Sequence, residues 1–124
     1  MHELSIAMSI VEMAGEVAEA EAFCRGGASV VAVHLKLGAL AGVVKSALLA
    51  SYGLACEGTA LEGSRLVIEE IPVVVYCANC RERRPLDSER WFVCPECSQP
   101  MSDVIQGKEL QVVALELMPT EVLT

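Results

Sequence analysis

The amino-acid sequence predicts an α+β fold in which a small sheet carries two helices and a compact cysteine-bearing ribbon is inserted ahead of the last strand. Three observations in the 124 residues lead there. Two stretches repeat apolar residues at the helical period, several short runs alternate apolar with polar residues, and four of the six cysteines stand in two CxxC pairs. A chain of this length can bury roughly two-thirds of its unfolded surface. With 53% apolar residues but only 4% aromatics, its core has to be aliphatic, and the composition is not that of a disordered chain.

The elements follow in order. From Glu3 to about Glu21, Leu4, Ala7, Met8, Val11 and Ala18 adjoin a second stripe of Ile6, Ile10, Met13 and Val17, which predicts a helix with a wide buried face. Glu12, Glu16, Glu19 and Glu21 form its wet side, and Gly26-Gly27 stops it. From Val30 to Leu37 the period changes to two: Val31, Val33, Leu35 and Leu37 share one face of a strand, with Ala32, His34 and Lys36 on the other. After a turn bracketed by Gly38 and Gly42, Val43, Val44, Ala47, Leu48 and Tyr52 predict a second helix ending at Gly53 or Gly58. Ser64 to Ile71 reads as a strand, Pro72 as a break, and Val73 to Tyr76 as a strand entering a new module. The run from Leu110 to Leu117 is a last strand, expected to return to the sheet begun by Val30 to Leu37 because it cannot bury itself alone. The domains expected are 1–72 with 107–124, and an inserted ribbon over 73–106.

Composition excludes several functions. The formal charge of −8 repels a polyanionic backbone and argues against nucleic acid as a partner. The richest apolar stretch, Ser29 to Ala55, is interrupted by His34, Lys36 and Lys45, so no membrane span is expected. Met1-His2-Glu3 lacks the basic start of a secretory signal, which points to a soluble, cytoplasmic protein. No Ser–His–Asp set, phosphate-binding glycine loop or paired-carboxylate site is identifiable, so no enzyme activity is expected.

Cys77, Cys80, Cys94 and Cys97 form C-x2-C-x13-C-x2-C. Each CxxC turn aims two sulfurs at one ion, and two turns close a tetrahedron with Zn–S distances of about 2.3 Å. All four positions come from protein, leaving no place for a catalytic water, so Zn2+ here is structural and the insertion is a zinc-ribbon domain. An iron–sulfur cluster uses the same thiolates and is the alternative. Arg81, Arg83, Arg84 and Arg90 with Trp91 and Phe92 give the flanks a composition shared with nucleic-acid-binding ribbons. The five acidic residues among 73–106 offset those arginines, and Trp91 and Phe92 are read as the cover of the hairpin. Cys24 and Cys56 are read as small buried residues, and His34 as a surface residue.

The N-terminus offers different donors. The Met1 amine, the amide nitrogens of His2 and Glu3 and the His2 imidazole can chelate one ion in fused rings, a nitrogen-rich tetragonal set that suits nickel(II) or copper(II).

Met1-His2-Glu3-Leu4-Ser5-Ile6-Ala7, Leu37-Gly38-Ala39-Leu40-Ala41-Gly42-Val43, Cys56-Glu57-Gly58-Thr59, Ile68-Glu69-Glu70-Ile71-Pro72, the paired CxxC motifs and Gly107-Lys108-Glu109-Leu110 together resemble the HypA/HybF family of hydrogenase-maturation nickel metallochaperones. The resemblance is colinear over nearly the whole chain. It implies a nickel-binding α/β domain carrying the N-terminus, a structural zinc domain, and a carrier of Ni2+ rather than an enzyme. It implies as partners a hydrogenase-maturation GTPase and a hydrogenase large-subunit precursor, with urease maturation proteins in some organisms, in a monomer or homodimer. Carried over residue by residue, it makes His2 the nickel ligand with the Met1 amine and the Glu3 amide beside it, and Cys77, Cys80, Cys94 and Cys97 the zinc ligands. Ala39 departs from an acidic position and Ser98 from a glycine position of the family, and residues 77 to 106 lack the histidine that some relatives carry. The rival readings are a zinc-ribbon module that binds nucleic acid or protein, and a thiol redox enzyme.

Overall fold

The structure is a computed structural model that describes residues 2–25, 28–86 and 92–119. It contains α1 (Glu3–Arg25), β1 (Ala28–Gly38), α2 (Lys45–Cys56), β2 (Arg65–Ile71), β3 (Val73–Cys77), β4 (Glu82–Leu86), β5 (Asp103–Gln106) and β6 (Leu110–Pro119). The strands form two three-stranded sheets, in the orders β2-β1-β6 and β4-β3-β5. The last strand therefore joins the sheet of β1, as the isolated alternating run at the C-terminus predicted. The chain divides into two compact units, Met1–Leu35 with Val43–Ile68 and Val112–Thr124, and Lys36–Gly42 with Glu69–Gln111.

In the first unit α1 buries Ala7, Ile10, Val11, Ala14 and Ala18. Its inward face is narrower than the sequence predicts, because Leu4, Met8, Met13 and Val17 stay exposed. The residues at the centre of the face are small. Ala7, Ala14 and Ala18 let the helix lie close to its neighbours, and Gly15 sits so that a Cβ there would meet Leu61 at 3.9 Å, which leaves the bulkier flanking stripes outside. Helix α2 turns Leu48, Tyr52 and Cys56 inward at an i, i+4, i+8 spacing. It begins at Lys45, two residues later than the apolar pattern suggests, since Val44 is extended at φ −84° and ψ 116°. It runs through Gly53 and stops at Cys56, whose carbonyl accepts the Thr59 hydroxyl at 2.7 Å, while Gly58 turns the chain at φ +74°.

Strand β1 is central, and it buries Val33, Leu35 and Leu37 as the alternation predicts. Ala32 on its second face is also fully buried. His34 is partly exposed on that face, and its Nε2 lies 2.6 Å from Glu116 Oε1 of β6. Val112, Leu115 and Leu117 of β6 pack on the core. The inward phase slips by one residue across Val113-Ala114, which the sequence alternation did not separate.

In the second unit β3 pairs antiparallel with β4, Val73 opposite Leu86 and Cys77 opposite Glu82, and with β5 on its other side. Its core consists of Val73, Val75, Cys77, Leu86, Cys94 and Met101. The turn after β1 belongs to this unit. The amides of Gly38, Ala39 and Leu40 donate to the carbonyls of Glu109 at 2.7 Å, Ile71 at 3.1 Å and Gly107 at 2.6 Å. A Cβ on Gly38 would fall on the carbonyl of Gly107, so only glycine permits this approach.

Candidate metal centre

The two CxxC segments fold into matching turns. Cys77 ends β3 and Cys94 follows the single bridge between Val93 and Pro100. In each turn the amide four residues on returns to the carbonyl of the first cysteine, Arg81 to Cys77 at 2.7 Å and Ser98 to Cys94 at 2.9 Å. Arg81 and Ser98 both take positive φ, 58° and 63°, a conformation that favours glycine. Cys80 turns its amide onto the Cys77 sulfur at 3.4 Å. This leaves each pair of sulfurs aimed at the other pair.

The four Sγ atoms lie within 4.8 Å of one another. Cys77 to Cys97 measures 3.6 Å and Cys80 to Cys94 3.8 Å. A disulfide would need about 2.05 Å. A tetrahedron with metal–sulfur bonds of about 2.3 Å has edges of about 3.8 Å, so these sulfurs fit one small divalent ion. Cys77 and Cys94 are buried, and Met101 with Leu86 completes the apolar cover. The sequence predicts Trp91 and Phe92 as the cover of the hairpin between the two CxxC turns. Phe92 is 40% exposed, and Trp91 lies outside the described residues.

The electrostatics follow from this crowding. Burial pushes the Cys94 thiol up, but the amides of Cys97 and Glu96 and the Arg84 guanidinium outweigh it and bring it down to about 6. At Cys80 the pull of the Arg84 guanidinium is outweighed by hydrogen bonding with Cys97 and by burial, and the thiol is pushed up to about 12. The Gln99 amide holds Cys97 below the usual thiol range. Four thiolates this close repel one another, so ionising them all requires a cation among them.

The structure treats the N-terminal residues differently. His2 is exposed directly ahead of α1, and its carbonyl accepts the Ile6 amide at 3.2 Å, the first bond of the helix. The Glu3 carboxylate accepts the Val44 amide at 3.1 Å, and that bond, with its own amide, holds it below the usual carboxylate range. Met1 lies outside the described residues. Among the described residues, the four cysteines are the group of three or more histidine, cysteine or acidic side chains close enough to share an ion, and His2 and Glu3 are not part of it. His34 pairs with Glu116 instead. Cys56 is buried, 3.9 Å from the Ser64 hydroxyl; the side chain of Cys24 lies outside those described.

Residues 1–117 match the family described as hydrogenase/urease nickel incorporation, metallochaperone, HypA. The chain belongs to the HypA family. It is 51% identical over 116 residues to the hydrogenase maturation factor HypA of Chloroflexus aurantiacus, covering 94% of this chain and 98% of that one. It is 49% identical to the factor of the same name from Roseiflexus sp. strain RS-1, covering 94% and 91%. In fold it is similar to the solution structure of the Ni metallochaperone HypA from Helicobacter pylori, with a TM-score of 0.61 at 21% identity over 97% of this chain and all of that one. A second HypA solution structure gives 0.60 at 20% identity, covering 89% and 93%. HypA proteins are metallochaperones of hydrogenase maturation and not enzymes, and no helix among the described residues is long and apolar enough to cross a membrane. The fold of this HypA chain explains two family motifs quoted from its sequence: Leu37-Gly38-Ala39 and Gly107-Lys108-Glu109 are the two sides of the Gly38–Gly107 approach.

Proposed function

We propose that the chain binds nickel(II) at its N-terminus as cargo and delivers it during maturation of [NiFe]-hydrogenase, while Cys77, Cys80, Cys94 and Cys97 hold a structural zinc ion. The observation that carries the nickel assignment is the setting of His2 within a HypA chain. It is exposed, stands directly ahead of α1, and is followed by a residue whose side chain is engaged with Val44. The donors are the Met1 amine, the amides of His2 and Glu3 and the His2 imidazole, a tetragonal set suited to nickel(II). Glu3 contributes its amide, as the family resemblance implies, while its carboxylate accepts the Val44 amide. Losing amide protons makes binding rise with pH. A site built on exposed backbone can pass its ion to a partner by stepwise ligand exchange without opening the core. In this reading the recipients are a maturation GTPase and a hydrogenase large-subunit precursor, and the chain works in the cytoplasm.

Two facts support zinc at the cysteines. Sulfur separations of 3.6 and 3.8 Å suit four ligands on one ion rather than ligands spread over several irons. All four places are filled by protein, which suits retention. Residues 73–106 then form the zinc domain, with 1–72 and 107–124 carrying nickel.

Nickel(II) titration of zinc-loaded chain, beside the same chain with one glycine added before Met1, tests the assignment. The native chain is expected to bind about one nickel with a yellow, low-spin spectrum, and the extended chain to lose it, because the amine leaves its chelate ring. Equal binding by both, or by neither, would overturn the N-terminal site.

A further inference from the structure

Cross-strand partners of an antiparallel pair point to one face of the sheet, and so do alternate residues of a strand. The inward row of β3 is Val73, Val75 and Cys77, all buried. Their partners on β4 are Leu86, Arg84 and Glu82. Opposite fully buried Val75, where the pattern calls for an apolar residue, stands an arginine. Its neighbours Arg83 and Pro85, on the other face, are exposed. The Arg84 side chain is only 19% exposed, and its Nη1 donates to Glu82 Oε2 at 2.9 Å. Its Nε is shut off from solvent without a conventional hydrogen-bond partner. A guanidinium is costly to enclose unless its N–H groups find acceptors. Beside it are sulfurs: its cross-strand partner Val75 shares one buried cluster with Cys77 and Cys94, Cys80 packs against that cluster, and the guanidinium is held charged by Cys80 and Cys94, in agreement with that placement.

We propose that Arg84 is a positioning residue for the four-sulfur centre, donating N–H groups to the sulfurs of Cys80 and Cys94 and offsetting part of the negative charge that four thiolates leave around a divalent ion. This rests on reading the four cysteines as a zinc site. Hydrogen bonds from a cation draw electron density from thiolate lone pairs, which makes the sulfurs poorer nucleophiles toward oxidants and competing thiols and slows loss of the ion. Glu82, two residues before Arg84 on the same face, holds the guanidinium in place. The sequence pattern gives no sign of this role, since Arg84 is one of three arginines within four residues and only the register turns it inward.

The test uses the full chain with Arg84→Met, Arg84→Lys and, as a surface control, Arg83→Met. Cobalt(II) serves as the spectroscopic probe, and zinc-loaded protein is mixed with a chromophoric chelator. Arg84→Met is expected to move the sulfur-to-cobalt charge-transfer band to lower energy and to release zinc about tenfold faster or more, the usual scale for losing a partner of a metal ligand. Arg84→Lys, which keeps the charge without the planar fork, is expected to fall between, and Arg83→Met to match wild type. If the methionine variant does not fold, Arg84→Gln carries the same comparison. A merely structural role would lower the melting temperature without shifting the band. An unmoved band and an unchanged release rate overturn the proposal while leaving the zinc reading standing. A wild-type chain with no four-thiolate cobalt spectrum overturns the zinc reading, and this proposal with it.

Discussion

Glu3 and Val44, 41 residues apart, are joined by a hydrogen bond in which the carboxylate of the first α1 residue accepts the backbone amide immediately ahead of α2. One side chain thus ties the segment next to His2 to the start of the second helix. An amide at that place has no partner within its own helix, so the carboxylate answers a need of the backbone as well as anchoring the N-terminus.

The Glu3 bond has a pH signature. Its folded-state pKa is depressed, so its stabilisation is present above the ordinary value of 4.5 and is lost as the pH falls through the lower, folded value. The difference in melting temperature between wild type and Glu3→Gln is therefore expected at neutral pH and should vanish in acid. A difference that stays unchanged however far the pH is lowered below 4.5 would show that the carboxylate charge plays no part. Nickel titration of the same variant should retain one equivalent, because the proposed donor is the Glu3 amide.

Two glycines should respond in opposite directions to the same substitution. At Gly38 an added methyl meets the Gly107 backbone, which has no rotamer with which to yield, so Gly38→Ala is expected to destabilise the chain by about 3 kcal/mol or more. At Gly53, within α2, nothing lies within 4 Å of the added carbon, and Gly53→Ala should stabilise by about 0.5–1 kcal/mol. Chemical denaturation of the two variants checks both signs at once.

Tyr52 is buried and its hydroxyl is 2.7 Å from the Ser64 hydroxyl. Burial pushes the phenol up from 10.0 to about 12. A raised value means that the contribution is intact below pH 10 and declines as the pH rises from there through 12. Tyr52→Phe should cost about 1 kcal/mol at neutral pH by the loss of one hydrogen bond. It should also unfold less steeply than wild type above pH 10 in a circular-dichroism titration. Parallel alkaline profiles would contradict the burial of the phenol.

Removal of the proposed zinc ion should act locally. Residues 73–106 have a small core whose members include two of the cysteines, and modules of this size depend on their ion. After chelation, hydrogen exchange is expected to accelerate at β3, β4 and β5. The amides of α1 from Ala7 to Ala18, packed in an aliphatic core of their own, should keep their protection. Uniform loss across both regions would mean that the two fold as one.

Local spacing was enough to determine much of this protein. Periods of 3.6 and 2 marked both helices, β1 and β6, apolar runs on either side of Pro72 marked β2 and β3, and two CxxC pairs named the residues whose sulfurs converge, while β4 and β5, in a polar stretch, had no such signal. Each of these signals lies within a few residues of chain, where backbone geometry fixes which side chains share a face. The N-terminal nickel assignment was legible as a motif, and its support still comes from the motif and the family. Tertiary structure alone decided the rest. It chose which members of the two adjoining stripes α1 buries, Ala7, Val11 and Ala18 of one and Ile10 of the other, because small alanines permit closer packing than Leu4 and Met8, and it turned Arg84 inward through a strand register. It also joined Glu3 to Val44 and brought Gly38 onto Gly107. Those pairings link residues tens of positions apart, and they depend on how the chain closes on itself, a quantity that no local pattern of residues encodes.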